Sequence, residues 1–141
     1  MPYATRQNMV DRFDEEELVQ LTDRKDPPAG IIDDTVLTKA LDDASALIDG
    51  YLQGRYTLPL GNVPVTLERI TCDIARYYLY EDGVTEVVKQ RYQDAAKYLN
   101  DVSAGRIDLG LDSSNNPATV SNAPDYQAPD RVFTTDTLKD F

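Results

Sequence analysis

Residues 34–53 read DTVLTKALDDASALIDGYLQ, and their pattern decides the fold. Val36, Leu37, Ala40, Leu41, Ala44, Leu47, Ile48, Tyr51 and Leu52 recur at intervals of three and four, which puts them on one side of a helix. The stretch predicts one long amphipathic helix from Asp34 or Thr35 to Gln53, with Gly54 as its stop. A helix with a single apolar face must bury it against elements of the same kind, and the flanking sequence supplies them.

Downstream, Pro64 suits the first turn of a second long helix, where its missing amide donor costs nothing. Leu67, Ile70, Ile74, Tyr77, Tyr78 and Glu81 continue a helical row to an end near Asp82 and Gly83. A third long helix starts at about Thr85, with Glu86 near the positive end of its dipole. It carries Val88, Tyr92, Ala95, Ala96, Tyr98, Leu99 and Val102 and closes at Gly105. Upstream, two short helices are predicted over 5–13 and 15–21, with Thr5 and Asp14 as N-caps. Residues 23–30 form a loop, because Pro27 lacks a donor and pushes Asp26 out of helical geometry. Residues 55–61, RYTLPLG, read as an ordered non-helical connector. The expected class is all-α: a bundle of about four helices with short N-terminal helices and an extended C-terminal arm.

The arm is read from the pattern beyond Gly105. Ile107, Leu109 and Leu111 alternate with Asp108 and Gly110, a short extended pattern suited either to pairing with another strand or to lying along a groove. Residues 112–130 are rich in Ser, Asn, Ala, Pro and Asp, too polar to offset their ordering entropy by burial. Residues 131–141, RVFTTDTLKDF, then restore apolar anchors at Val132, Phe133, Leu138 and Phe141. The chain thus divides into a helical domain over 1–111, a flexible linker over 112–130 and a docking arm over 131–141.

Charge and composition narrow the function. With 14 basic against 25 acidic residues and a net charge of -11, free nucleic acid and anionic membranes are repelled. No apolar run approaches the roughly 20 residues that cross a bilayer. Residues 1–10 lack the apolar centre of a signal peptide, so folding in the cytoplasm is expected. The chain has no His, which removes Ser-His-Asp, Cys-His and His-rich zinc chemistry. Its one cysteine, Cys72, falls inside a helical apolar pattern and reads as a buried small side chain.

The remaining motifs also have plain structural readings. Asp33-Asp34, Asp42-Asp43 and the run from Asp14 to Glu17 lack the spacing of a calcium loop and read as solvated surface or helix capping. Gly50, Gly54, Gly61 and Gly83 are expected at helix ends or close packing points, not in a phosphate-cradling loop. Tyr77, Tyr78 and Tyr80 beside Arg76 read as rings at the core edge rather than as a stacking platform for single strands. Arg55 reads as a cap on helix C-terminal carbonyls or as a hand for a partner's carboxylate. No catalytic, cofactor or metal site is expected, and the protein is not expected to be an enzyme. Candidate protein contacts are Arg55, Tyr56 and Leu58 in the connector, and Arg131, Val132, Phe133, Leu138 and Phe141 in the arm.

Taken together, residues 48–60, IDGYLQGRYTLPL, with Pro64, Leu67 and residues 73–80, DIARYYLY, resemble a family of small virion proteins from Mu-like phages and prophages. The opening MPYAT and the closing 131–141 resemble that family's ends as well. The resemblance implies a head-to-tail connector or adaptor in the phage neck. Such a protein forms a ring of like copies beneath the portal, contacts neck and tail-completion proteins, and has no catalytic residues or cofactor. The alternative of another class is an acidic DNA mimic that occupies a basic site on a regulatory partner.

Overall fold

The computed structural model describes residues 2–81 and 83–111. All of its elements are helices: α1 Arg6–Arg12, α2 Glu15–Thr22, α3 Asp34–Leu52, α4 Val65–Leu79 and α5 Glu86–Ser103. The expected all-α class is the one observed, as two short helices followed by three long ones. The linker over 112–130 and the arm over 131–141 lie outside the described residues, with Arg131, Val132, Phe133, Leu138 and Phe141 among them.

The stretch 34–53 sits at the centre, since α3 packs on α1, α2, α4 and α5. Its buried stripe is Leu37, Ala40, Leu41, Ala44, Ile48 and Leu52, with Val36, Leu47 and Tyr51 half-buried at the margins. Leu67, Ile70 and Ile74 of α4 and Ala95, Leu99 and Val102 of α5 share that core. Each large aliphatic side chain so removed from water contributes about 1.5–3 kcal/mol, more than any surface pair in the molecule can. The buried hydroxyls are partnered: Thr71 donates to the Leu67 carbonyl at 2.6 Å, and Thr22 donates to that of Leu18 at 2.7 Å. Ser45 Oγ accepts from the Tyr3 amide at 3.1 Å, which ties the N-terminal segment to α3.

Side-chain capping starts α1, α3 and α5, whereas Asp14 stands at the N-cap of α2 without a side-chain bond to its amides. Thr5 and Asn8 form a reciprocal box at α1, and Thr85 accepts from the Val88 amide at α5. Asp33 caps α3, which starts at Asp34, accepting from the amides of Thr35 and Val36 at 3.0 and 3.4 Å. Pro64 stands one residue earlier than expected, as the N-cap of α4, and its carbonyl accepts from Leu67 and Glu68.

Helix ends depart further from expectation. Helix α4 stops at Leu79, not near residues 82 and 83, and Tyr80 is extended. Side chains from α2 and the following loop hold the chain there: the Tyr80 hydroxyl donates to Glu17 at 2.9 Å, while Arg24 reaches the Leu79 carbonyl and Glu81. Helix α3 ends at Leu52 with Gln53 as its C-cap, so Gly54 stands just past the end as expected, but without a left-handed backbone; the Arg55 and Tyr56 amides both return to the Leu52 carbonyl at 2.9 Å. Gly50 is no packing point either: it lies exposed within α3, with nothing within 4 Å of where a Cβ would stand.

Residues 106–110 form no strand. Ile107, Leu109 and Leu111 do turn to the core as the alternation requires; the amides of Leu109 and Gly110 go to the side chains of Tyr56 and Asp108, and Leu111 stands in a single β-bridge.

Candidate functional site

The connector begins where α3 releases the chain, and its first two side chains reach the end of α5. Helix α5 closes with the Gly105 amide on the Val102 carbonyl and the Arg106 amide on that of Asp101, at 3.1 and 2.9 Å. This reversal needs the left-handed backbone of Gly105, at φ +84. An ion pair between Arg106 and Asp101 stands where such motifs usually have an apolar contact. Arg55 completes the cap, its Nη1 donating to the carbonyls of Val102 at 2.8 Å and Ile107 at 3.3 Å. The guanidinium also lies 5.7 Å from the Tyr56 ring centroid.

Tyr56 fastens the next turn. Its hydroxyl accepts from the Leu109 amide at 3.1 Å and lies 3.5 Å from Asp108 Oδ1, which itself accepts from the Gly110 amide at 2.8 Å. Arg55 and Tyr56 therefore clamp residues 106–110 onto the bundle within one subunit. Leu58 is half-buried and lines an apolar depression of about 600 Å³ with Pro2, Tyr3, Pro59, Leu60 and Val63. Tyr3 forms the wall of that depression, donating its hydroxyl to Asp49; burial, reinforced by that carboxylate, raises its pKa. Of the connector candidates, Leu58 is the one that faces open space beside an apolar surface.

The other sequence candidates resolve as structure. Arg76 donates through Nε and Nη2 to Glu17 at 2.9 and 2.7 Å, and stands 4.5 Å above the Phe13 ring. Tyr77 stacks on Tyr92, with centroids 4.0 Å apart and planes 11° from parallel, so a face that a nucleobase would need is occupied. Cys72 is fully buried, and burial pushes its thiol up to about 12. No group of three or more metal-ligating side chains occurs among the described residues, and no helix there is long and apolar enough to cross a membrane.

Arg55 caps helix C-terminal carbonyls as its sequence suggested, but those carbonyls belong to α5 and the segment after it, 47 and 52 positions away, which no local pattern could name. Sequence reading missed a cleft where Arg12, Arg69 and Arg91 converge from three helices.

These features define an acidic helical-bundle protein whose connector is locked to its own last helix. The chain belongs to the family described as Bacteriophage Mu, Gp36, whose model matches residues 3–128. It is 37% identical over 139 residues to the Mu-like prophage FluMu protein gp36 of Haemophilus influenzae, covering 99% of this chain and 97% of that protein. It is also 42% identical over 113 residues to gene product J of Escherichia phage Mu, covering 80% of this chain and 79% of that one. It is a Mu-like phage protein, and the expected family is the family found.

Proposed function

We propose that this protein is a head-to-tail connector subunit that assembles into a ring beneath the portal, in the neck of the virion. Membership of a Mu-like phage family over residues 3–128 carries the reading. It has no chemistry of its own in this role. Cys72, its one thiol, is buried and held in the protonated form, and the polar groups of the connector are engaged in holding the subunit together.

Two physical features support the ring. Head-to-tail contacts between like copies need two different surfaces on each subunit, one to give and one to receive. The apolar residues Val132, Phe133, Leu138 and Phe141, set beyond the polar stretch 112–130, provide the first. The net charge of -11 also suits a channel through which duplex DNA passes without adhering. The arm is tested by deleting residues 131–141. The expected result is a subunit with unchanged helical circular dichroism that no longer joins rings or portals; undiminished assembly contradicts the reading.

A further inference from the structure

A cleft of about 500 Å³ opens between α1, α4 and α5. Its floor is apolar, from the buried Phe13, Ile70 and Ala95. Its lining holds three guanidiniums, Arg12, Arg69 and Arg91, against two carboxylates, Asp73 and Asp94, in a chain whose overall balance is strongly acidic. Arg12 is bridged to Glu68 at 2.9 Å, and Asp94 accepts from Gln90 at 2.9 Å. Arg69 and Arg91 are exposed and make no hydrogen bond or ion pair among the described residues, although both lie close enough to the half-buried Asp73 to act on its charge. An apolar floor beneath unengaged guanidiniums fits a segment that sets an aromatic or aliphatic anchor beside carboxylates.

Such a segment exists in this chain. Residues 112–141 carry five acids against two bases, and Asp136, Leu138, Asp140 and Phe141 alternate anchor and charge at short spacing. We propose that the cleft receives this segment from a second copy. Leu138 and Phe141 cover the floor, and Asp136 and Asp140 reach Arg69 and Arg91. The choice of a second copy rests on the ring reading, in which the arm gives and another surface must receive. Residues 112–130 extend to about 65 Å at most, enough to reach an adjoining subunit.

The test is binding of a labelled synthetic peptide of residues 128–141 to the dilute full-length chain, followed by fluorescence anisotropy. The wild-type chain is expected to bind it. The R69E/R91E chain, altered only at exposed positions, is expected to bind about tenfold more weakly or worse. A peptide with D136K and D140K should lose binding to the wild type and regain it with R69E/R91E. Three results overturn the proposal: no binding, binding indifferent to R69E/R91E, or displacement of the peptide by duplex DNA, which would make the cleft a phosphate surface. If only a full-length chain disarmed by L138A and F141A binds the peptide, the occupant is the chain's own arm and the second copy is refuted. Rings that form while R69E/R91E leaves peptide binding intact refute the cleft alone; peptide capture by the cleft without rings refutes the connector reading instead.

Discussion

Single residues in this protein are chiefly structural, and two of them make the point measurable. Cys72 is expected to resist thiol reagents in the native state and to react at the rate of an unfolded cysteine once denaturant opens the core. Rapid labelling without unfolding would contradict its burial. Asp23 accepts from the amides of Gly30 and Ala29, and these bonds hold its carboxyl below the ordinary value of 3.8. A depressed folded pKa means the contribution is full above the unfolded value and is lost as pH falls through the folded one. The loop over 23–30 should therefore stay closed at neutral pH and open below about pH 3.8, seen as loss of protection at the Gly30 amide. Both residues show how uneven legibility is at this scale. Burial of Cys72 was readable from helical spacing, whereas the bond from Asp23 to an amide seven residues away depends on a loop path that no local pattern encodes.

At the level of elements, helix starts were more legible than helix ends. Starts depend on side chains within three residues, so Thr5 was legible as a cap and Thr85 as the point where α5 begins, although Asp14, named as a cap on the same grounds, makes no cap bond at α2. Ends depend on what arrives from elsewhere: Glu17 and Arg24 stop α4 early, and Arg55 caps α5 across the molecule. The two glycines of this account should consequently respond in opposite directions. Gly50→Ala, in an exposed helical position with open space around it, is expected to raise stability by about 0.5–1 kcal/mol. Gly105→Ala has room for its methyl 3.8 Å from Arg55 but must hold φ near +84, and is expected to lose about 1 kcal/mol. Urea unfolding of both variants checks the pair; equal effects would mean that backbone conformation does not distinguish them. The alternation at Ile107, Leu109 and Leu111 teaches a related lesson, since all three side chains pack against the bundle, while the amides of Leu109 and Gly110 go to side chains and only Leu111 among residues 106–111 makes a β-bridge. Period alone reports which side chains turn inward; the available hydrogen-bond partners decide the backbone.

Across the whole molecule, the apolar stripe of residues 34–53 organised the fold as its spacing required, and family membership agrees with the resemblance carried by the connector. The connector's role is altered by the geometry. Arg55 and Tyr56 join α3 to the segment after α5 within one subunit, which leaves Leu58 as the connector candidate beside an apolar depression and the arginine cleft as the receiving surface we propose. The cleft was hidden in the sequence because its three guanidiniums come from three helices and are outvoted in the net charge. If the protein is a ring-forming connector, its oligomeric mass is the most direct readout. Native mass spectrometry with electron microscopy of the purified protein, alone and mixed with portal complexes, should find closed rings of this chain, free or seated on the portal. A protein that stays monomeric alone and leaves every portal complex bare would contradict the account.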